Sequence, residues 1–308
     1  MSRRTQVILA GAICVLGSVG AAWLATHRLA AGNGHVAQGL RELTDMTGRP
    51  VRLPAEPMRV LSLCTSASDT MAAMHQSRRL AAIDEYSSVV AGLDKTTVIG
   101  KGSAISKEQV LALQIDLAFV WWFQDDAAAM LEGLGVPVVR IRSGRAREVP
   151  AMIRLVGDCL NRRQAADKLA LPVEQFLEQE ASRPARPGAR PVVYLELYGP
   201  FKTVGGDSYL GDLIELAGGR NIAADATGSV LLSAERLIQN EPDVVLFVQG
   251  FGDARAIVSR PGLAGLKAVR AGRVHPVDRR WTIAGPGLPQ AVAYLRSILL
   301  PSASTERH

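Results

Sequence analysis

Residues 105–120 and 232–247 carry one plan twice. Ile105-Ser-Lys-Glu-Gln-Val-Leu-Ala-Leu-Gln-Ile-Asp-Leu-Ala-Phe-Val120 aligns without a gap on Leu232-Ser-Ala-Glu-Arg-Leu-Ile-Gln-Asn-Glu-Pro-Asp-Val-Val-Leu-Phe247, which places Ser106 on Ser233, Glu108 on Glu235 and Asp116 on Asp243. In each copy a serine is set to cap a short helix, a glutamate falls in its first turn, and an aspartate leads into an apolar strand. A repeated helix–strand unit predicts two similar halves, and a chain of 308 residues, 48% hydrophobic, is large enough to fill two cores.

Strand-like runs alternate with helical stretches in both halves. Arg59–Leu63, Leu80–Asp84, Leu117–Trp121 and Pro137–Ile141 read as strands of the first half, and Pro191–Leu197, Val244–Val248 and Arg273–Val277 as strands of the second. Such alternation predicts crossover units and α/β halves built on mostly parallel, doubly wound sheets. Between them, Met152, Leu155, Val156, Cys159, Leu160, Ala166, Leu169, Val173, Phe176 and Leu177 recur mostly every third or fourth residue. That spacing predicts one long amphipathic helix, with Pro172 marking a kink, a break or a second segment. The expected organisation is a first lobe over 40–146, a connecting helix over 147–183, a second lobe over 184–301 and a tail over 302–308.

The N-terminus sets the compartment. Arg3 and Arg4 precede an uncharged run from Val7 to Ala25, whose length as a helix, about 28 Å, matches the bilayer hydrocarbon. Residues 1–26 therefore read as a signal or anchor helix and 27–39 as a flexible tether. The leading arginines leave the rest of the chain outside the cytoplasm, on the periplasmic side of an inner membrane. Gly20-Ala21-Ala22 offers a cleavage site, so both retention and release stay open. Cys14 follows the bulky Ile13, which argues against a lipid anchor. Cys64 and Cys159 are expected to be buried free thiols.

With 35 basic against 29 acidic residues and no basic tract, nothing points to nucleic acid. Val204-Gly-Gly-Asp207 lacks the spacing and the Lys-Ser/Thr of a phosphate loop, and no nucleophile elbow or zinc helix occurs, so an enzyme is not expected. His27, His35, His75, His275 and His308 share no ligand spacing, so no metal site is expected.

Four stretches carry a family resemblance: Gly199-Pro-Phe-Lys-Thr-Val-Gly-Gly-Asp-Ser-Tyr-Leu-Gly-Asp-Leu-Ile-Glu-Leu-Ala-Gly-Gly-Arg-Asn-Ile222; Pro57-Met-Arg-Val-Leu-Ser-Leu63 with Ser66-Ala-Ser-Asp69; the two Ser-x-Glu helices; and Gly272-Arg-Val-His-Pro-Val277 with Trp281. Over about Leu43 to Pro301 the chain resembles the periplasmic binding proteins of ABC importers for ferric siderophores, haem and vitamin B12. The resemblance implies two lobes held by a rigid backbone helix, a ligand in the cleft between them and little hinge motion. It implies that Glu108 and Glu235 meet arginines of a permease dimer driven by a cytoplasmic ATPase; both glutamates would also complement their helix dipoles. The chain is expected to work as a monomer without a resident cofactor. A membrane-tethered sensor or scaffold uncoupled from transport is the other reading.

Loops beyond the strand C-termini should line the cleft. They bring forward Ser66, Ser68, Tyr86, Lys101, Trp121, Trp122 and Phe123 from the first lobe, and Tyr198, Phe201, Lys202, Arg279, Arg280 and Trp281 from the second. Aromatic faces suit a macrocycle or chelator rim, and cations suit its carboxylates or oxygen donors. The B12 binder has tryptophans before each Ser-x-Glu helix, where this chain has Lys101-Gly102 and Gly228-Ser229. Tyr86 lies where haem binders place an iron-reaching residue; bonding to iron and simple stacking both remain open for it.

Overall fold

The computed structural model describes residues 39–142, 144–184 and 188–300. The expected signal or anchor segment, most of the tether and the tail lie outside these residues. Among those described, no helix is long and apolar enough to cross a membrane.

The fold opens on an antiparallel hairpin, β1 (Leu40–Thr44) and β2 (Pro50–Pro54), which the sequence reading did not foresee. Asp45 shapes its turn, accepting from the backbone N–H and hydroxyl of Thr47 at 2.8 and 2.7 Å. The first half then builds a six-stranded sheet from β3 (Val60–Ser62), β4 (Leu80–Asp84), β5 (Val98–Lys101), β6 (Ala104–Ile105), β7 (Leu117–Trp121) and β8 (Val138–Ile141), in the order β6-β5-β4-β3-β7-β8. Its pairings are parallel except β5 with β6. Helices α1 (Thr65–Ala73), α2 (Lys107–Ala112) and α3 (Asp125–Gly133) make the crossovers.

The connector is two helices, α4 (Val149–Cys159) and α5 (Arg163–Ala181), where one long helix was expected. The chain reverses at Leu160–Arg162, with Asn161 at φ 55°. Gly157 permits the reversal: a Cβ there would stand 2.2 Å from the Cβ of Ala166, so only hydrogen lets the helices touch. Arg154 then donates across the hairpin to Asp167 at 2.8 Å and to Glu174 at 2.7 Å. Each helix buries one face, so the apolar spacing runs through the turn and conceals it. Pro172 sits inside α5 without ending it.

The second half forms a parallel sheet in the order β11-β9-β13-β14, from β9 (Val192–Glu196), β11 (Arg220–Asn221), β13 (Val244–Val248) and β14 (Val274–Val277). A separate antiparallel ribbon pairs β10 (Lys202–Val204) with β12 (Ser229–Leu231). Helices α6 (Tyr209–Leu216), α7 (Ala234–Asn240), α8 (Ala254–Val258), α9 (Lys267–Arg270) and α10 (Leu288–Leu299) complete it.

The sequence repeat is a structural repeat. Ser106 and Ser233 cap α2 and α7 by accepting from the N–H of Gln109 and Arg236. Both helices run out on a left-handed residue, Gln114 at φ 50° and Glu241 at φ 38°. Asp116 then accepts from the N–H of Arg59 at 2.9 Å and Asp243 from that of Val192 at 2.8 Å, tying the same strand pair together in each half.

Three apolar clusters hold the fold. One face of the first sheet packs with α2 and α3 through Leu61, Ala118, Val120, Val110 and Leu131. One face of the second packs with α7, α8 and α9 through Val245, Phe247, Leu237, Ile257 and Ala268. The opposite faces of both sheets share one continuous cluster with α1, α4, α5, α6 and α10, in which Phe119, Ile153, Val173, Val193, Leu213 and Val292 are all buried. Cys64 and Cys159 lie buried in it as free thiols, and burial pushes both well above their ordinary range.

Candidate functional site

Each parallel sheet ends its strands in loops at the carboxyl edge, and side chains of the two halves meet there. Beyond β4, Asp84 accepts from Ser87 through both its N–H at 3.0 Å and its hydroxyl at 2.7 Å, bending the chain into the short turn that carries Tyr86. Beyond β14, Asp278 accepts from the N–H of Arg280, which starts the turn that carries Arg279. Arg279 reaches across to donate to the carbonyl of Tyr86 at 3.3 Å. Its guanidinium lies 4.8 Å from the ring centre of Phe251 and 5.8 Å from that of Tyr86. Tyr198 packs against Phe251 at 4.7 Å, and Lys101 lies 5.6 Å from the ring centre of Tyr86.

The cluster thus holds three aromatic rings and two cations drawn from both halves. Desolvation raises the phenol of Tyr198, the neighbouring Tyr86 raises it further, and Arg279 works against both. The buried carboxyl of Asp84 is also raised, mainly by burial, with the Ser87 hydrogen bonds and the charge of Arg279 opposing. Tyr198 still exposes 60% of its surface. Tyr198 and Phe201 have φ of 64° and 60°, a left-handed turn held by the Phe201 N–H donating to Glu196 at 3.1 Å.

Trp121, Trp122 and Phe123 form a second aromatic group beyond β7. Trp121 stacks parallel to Phe123 at 6.3 Å, and Trp122 meets Phe123 edge-on at 4.9 Å. Trp121 is half-buried against the shared core, whereas Trp122 and Phe123 are exposed.

Several other expected site residues make different contacts. Ser68 is fully buried inside α1, its hydroxyl 2.8 Å from that of Ser62 and 3.1 Å from that of Ser87, because α1 starts at Thr65 and turns that position onto the sheet. Ser66, the second residue of the same helix, is buried as well. Phe201 packs into the outer core of the second half under Arg260. Lys202 projects from the β10–β12 ribbon. Arg280 pairs with Asp278 at 3.3 Å and covers Trp281, which stacks on Tyr294 of α10 at 5.4 Å. Tyr86, Lys101, Tyr198 and Arg279 are brought together; Phe251 completes them and was not foreseen.

Glu108 and Glu235 stand exposed in the first turns of α2 and α7. Neither joins an ion pair among the described residues. The Ser106 hydroxyl donates to Glu108 at 2.6 Å and holds it below the usual carboxylate range; Glu235 is lowered by the first-turn backbone N–H and by Ser233. An open groove of about 670 Å³ lies elsewhere, at the far end of α1, lined by Met74, His75, Arg162, Gln164 and Lys168 among others.

A cobalamin-binding protein of Halobacterium salinarum is 28% identical over 213 residues, 66% of this chain and 57% of its own. An uncharacterised ABC transporter substrate-binding lipoprotein of Bacillus subtilis is 23% identical over 274 residues, 86% of this chain and 87% of its own. Among solved structures, a periplasmic haem-binding protein of Pseudomonas aeruginosa superposes with a TM-score of 0.71 at 25% identity, covering 80% of this chain and 94% of that one. The molybdate-bound binding protein MolA of Haemophilus influenzae shares the fold at a TM-score of 0.73 and 19% identity, covering 85% of this chain and 91% of that one. The family model for periplasmic binding proteins matches residues 60–280, and the chain belongs to that family.

Proposed function

We propose that this chain is the extracytoplasmic solute-binding component of an ABC importer, capturing an iron complex, either a ferric siderophore or haem, or a corrinoid between its two halves and delivering it to a permease dimer with a cytoplasmic ATPase. The observation that carries the reading is the meeting of Tyr86 and Lys101 from the first half with Tyr198, Phe251 and Arg279 from the second. Aromatic faces take up a flat macrocycle or a catecholate rim, while the two cations neutralise ligand carboxylates or oxygen donors. Glu108 and Glu235, exposed on the two repeated helices, face the permease and set the orientation of docking more than its strength. The N-terminal segment delivers the chain across the inner membrane and either holds it there or is removed.

Absorption titration of the purified chain with haemin, a ferric catecholate siderophore and cyanocobalamin tests this. A saturable Soret shift, charge-transfer change or corrin-band change identifies the ligand class. Absence of binding in all three overturns the reading.

A further inference from the structure

The repeated helices bury and expose the same positions. Val110 and Leu237 turn inward and are buried, while the next residues, Leu111 and Ile238, are 59% and 46% exposed. Leu111 stands three residues beyond Glu108 and Ile238 three beyond Glu235, so carboxylate and aliphatic side chain are neighbours on one helix face in each half. A lone exposed leucine is ordinary. Two at equivalent positions of a structural repeat, each beside a glutamate outside every ion pair among the described residues, make a surface presented twice. Leu231, 73% exposed just ahead of α7, widens the second copy.

We propose that Leu111 and Ile238, the latter joined by Leu231, are the apolar contacts through which this chain binds the permease dimer. This rests on the importer reading above and extends it: each permease subunit offers a basic side chain beside an apolar depression, and the two subunits receive the two copies. Exposed ion pairs weaken with salt and add little affinity, whereas an aliphatic side chain driven into a depression keeps its contribution when salt screens the charges. Glu108 and Glu235 select the partner and its register; Leu111 and Ile238 hold it.

The test uses the full chain with its permease–ATPase complex in nanodiscs, measuring affinity and ATPase stimulation at low salt and at about 0.5 M salt. The variants are Leu111→Ser with Ile238→Ser, and Glu108→Lys with Glu235→Lys. Circular dichroism checks that the exposed substitutions leave the fold intact. The serine pair is expected to weaken binding about tenfold or more at both salt levels, with Leu111→Met and Ile238→Met restoring it. The lysine pair is expected to lose most at low salt. Loss with the lysine pair but not the serine pair overturns the apolar contact and leaves the docking reading standing. If neither pair changes binding, docking through these helices falls, and the inference with it. Sedimentation showing self-association of the chain that the serine pair abolishes assigns the patch to a second copy and also overturns the proposal.

Discussion

Arg145 and Asp212 clamp the two halves of the chain together. Arg145, beyond β8, sets Nη2 2.6 Å from Oδ1 and Nε 2.9 Å from Oδ2 of Asp212 in the first turn of α6, and the N–H of Ala146 adds a third donor at 2.8 Å. The fork matches a carboxylate geometrically, and Asp212 raises the already high pKa of Arg145. Asp212→Ala is expected to lower stability by about 1–3 kcal/mol. The expected signature is a lower denaturation midpoint with an unchanged m-value, checked by urea unfolding; an unchanged midpoint removes the clamp from the account.

Glu196 and Arg260 form the most deeply buried ion pair among the described residues of the second half. Arg260 grips both Glu196 oxygens, Tyr194 donates to the carboxylate at 2.7 Å, and the Phe201 N–H at 3.1 Å. Burial alone would raise its carboxyl; these donors outweigh it and hold the carboxyl below the usual range. Removing either charge alone, by Glu196→Gln or Arg260→Met, is expected to cost about 3–5 kcal/mol. Because the folded pKa is depressed, the stabilisation is complete above the unfolded carboxylate range and disappears as pH falls through the folded value. The deficit of Glu196→Gln should therefore shrink in acid, which thermal melts between pH 3 and pH 7 would read.

Asp69 has the opposite sign. It lies in α1 against Gly285, where a Cβ would stand 2.4 Å from its Oδ2, and burial raises it to about 6. A raised folded pKa contributes stability below the unfolded value of about 4, and that contribution is lost as pH rises through about 6. Asp69→Asn is expected to stabilise the protein by about 1–3 kcal/mol at neutral pH and to flatten this part of the pH–stability profile. Melts at pH 4 and pH 8 check it; equal melting shifts at both would refute the titration.

Arg279 bridges the halves at the aromatic cluster. Arg279→Ala is expected to weaken binding of a carboxylate-bearing ligand about tenfold or more, while Arg279→Lys, which keeps charge but loses the planar fork, recovers part of it. Titration of both variants with haemin or the ferric siderophore measures this. Undiminished affinity in Arg279→Ala would remove the cation from the site.

The halves were legible because their repeat is written in residues with local physics: a serine cap, a first-turn glutamate and an aspartate that ties two strand starts. The β1–β2 hairpin and the helix reversal at Asn161 were not, since the first depends on Asp45 collecting backbone donors and the second on a glycine facing an alanine. The first is a local turn of aperiodic residues and the second a tertiary contact, and neither leaves a periodic trace. In the candidate cluster, Tyr86, Tyr198 and Arg279 stand just beyond strands that the sequence marks, whereas Lys101 ends β5, which was not read as a strand. Ser68 was expected in a loop beyond the first strand, whereas α1 already begins at Thr65 and turns the hydroxyl inward. Phe251 was overlooked: it lies three residues beyond β13 where Phe123 lies two beyond β7, so the gapless repeat sets Phe123 against Gly250 and does not point to it.

The apolar body common to both sheets has a practical bearing on dissecting the molecule. Val193, Leu195, Leu213 and Val292 of one half lie in the same buried mass as Phe119, Val139 and Ile153 of the other. A gene cut in the segment after α5 would yield fragments with naked greasy flanks, prone to clump, and worth studying only when co-expressed. By the same token, heating should collapse the pair in a single calorimetric peak.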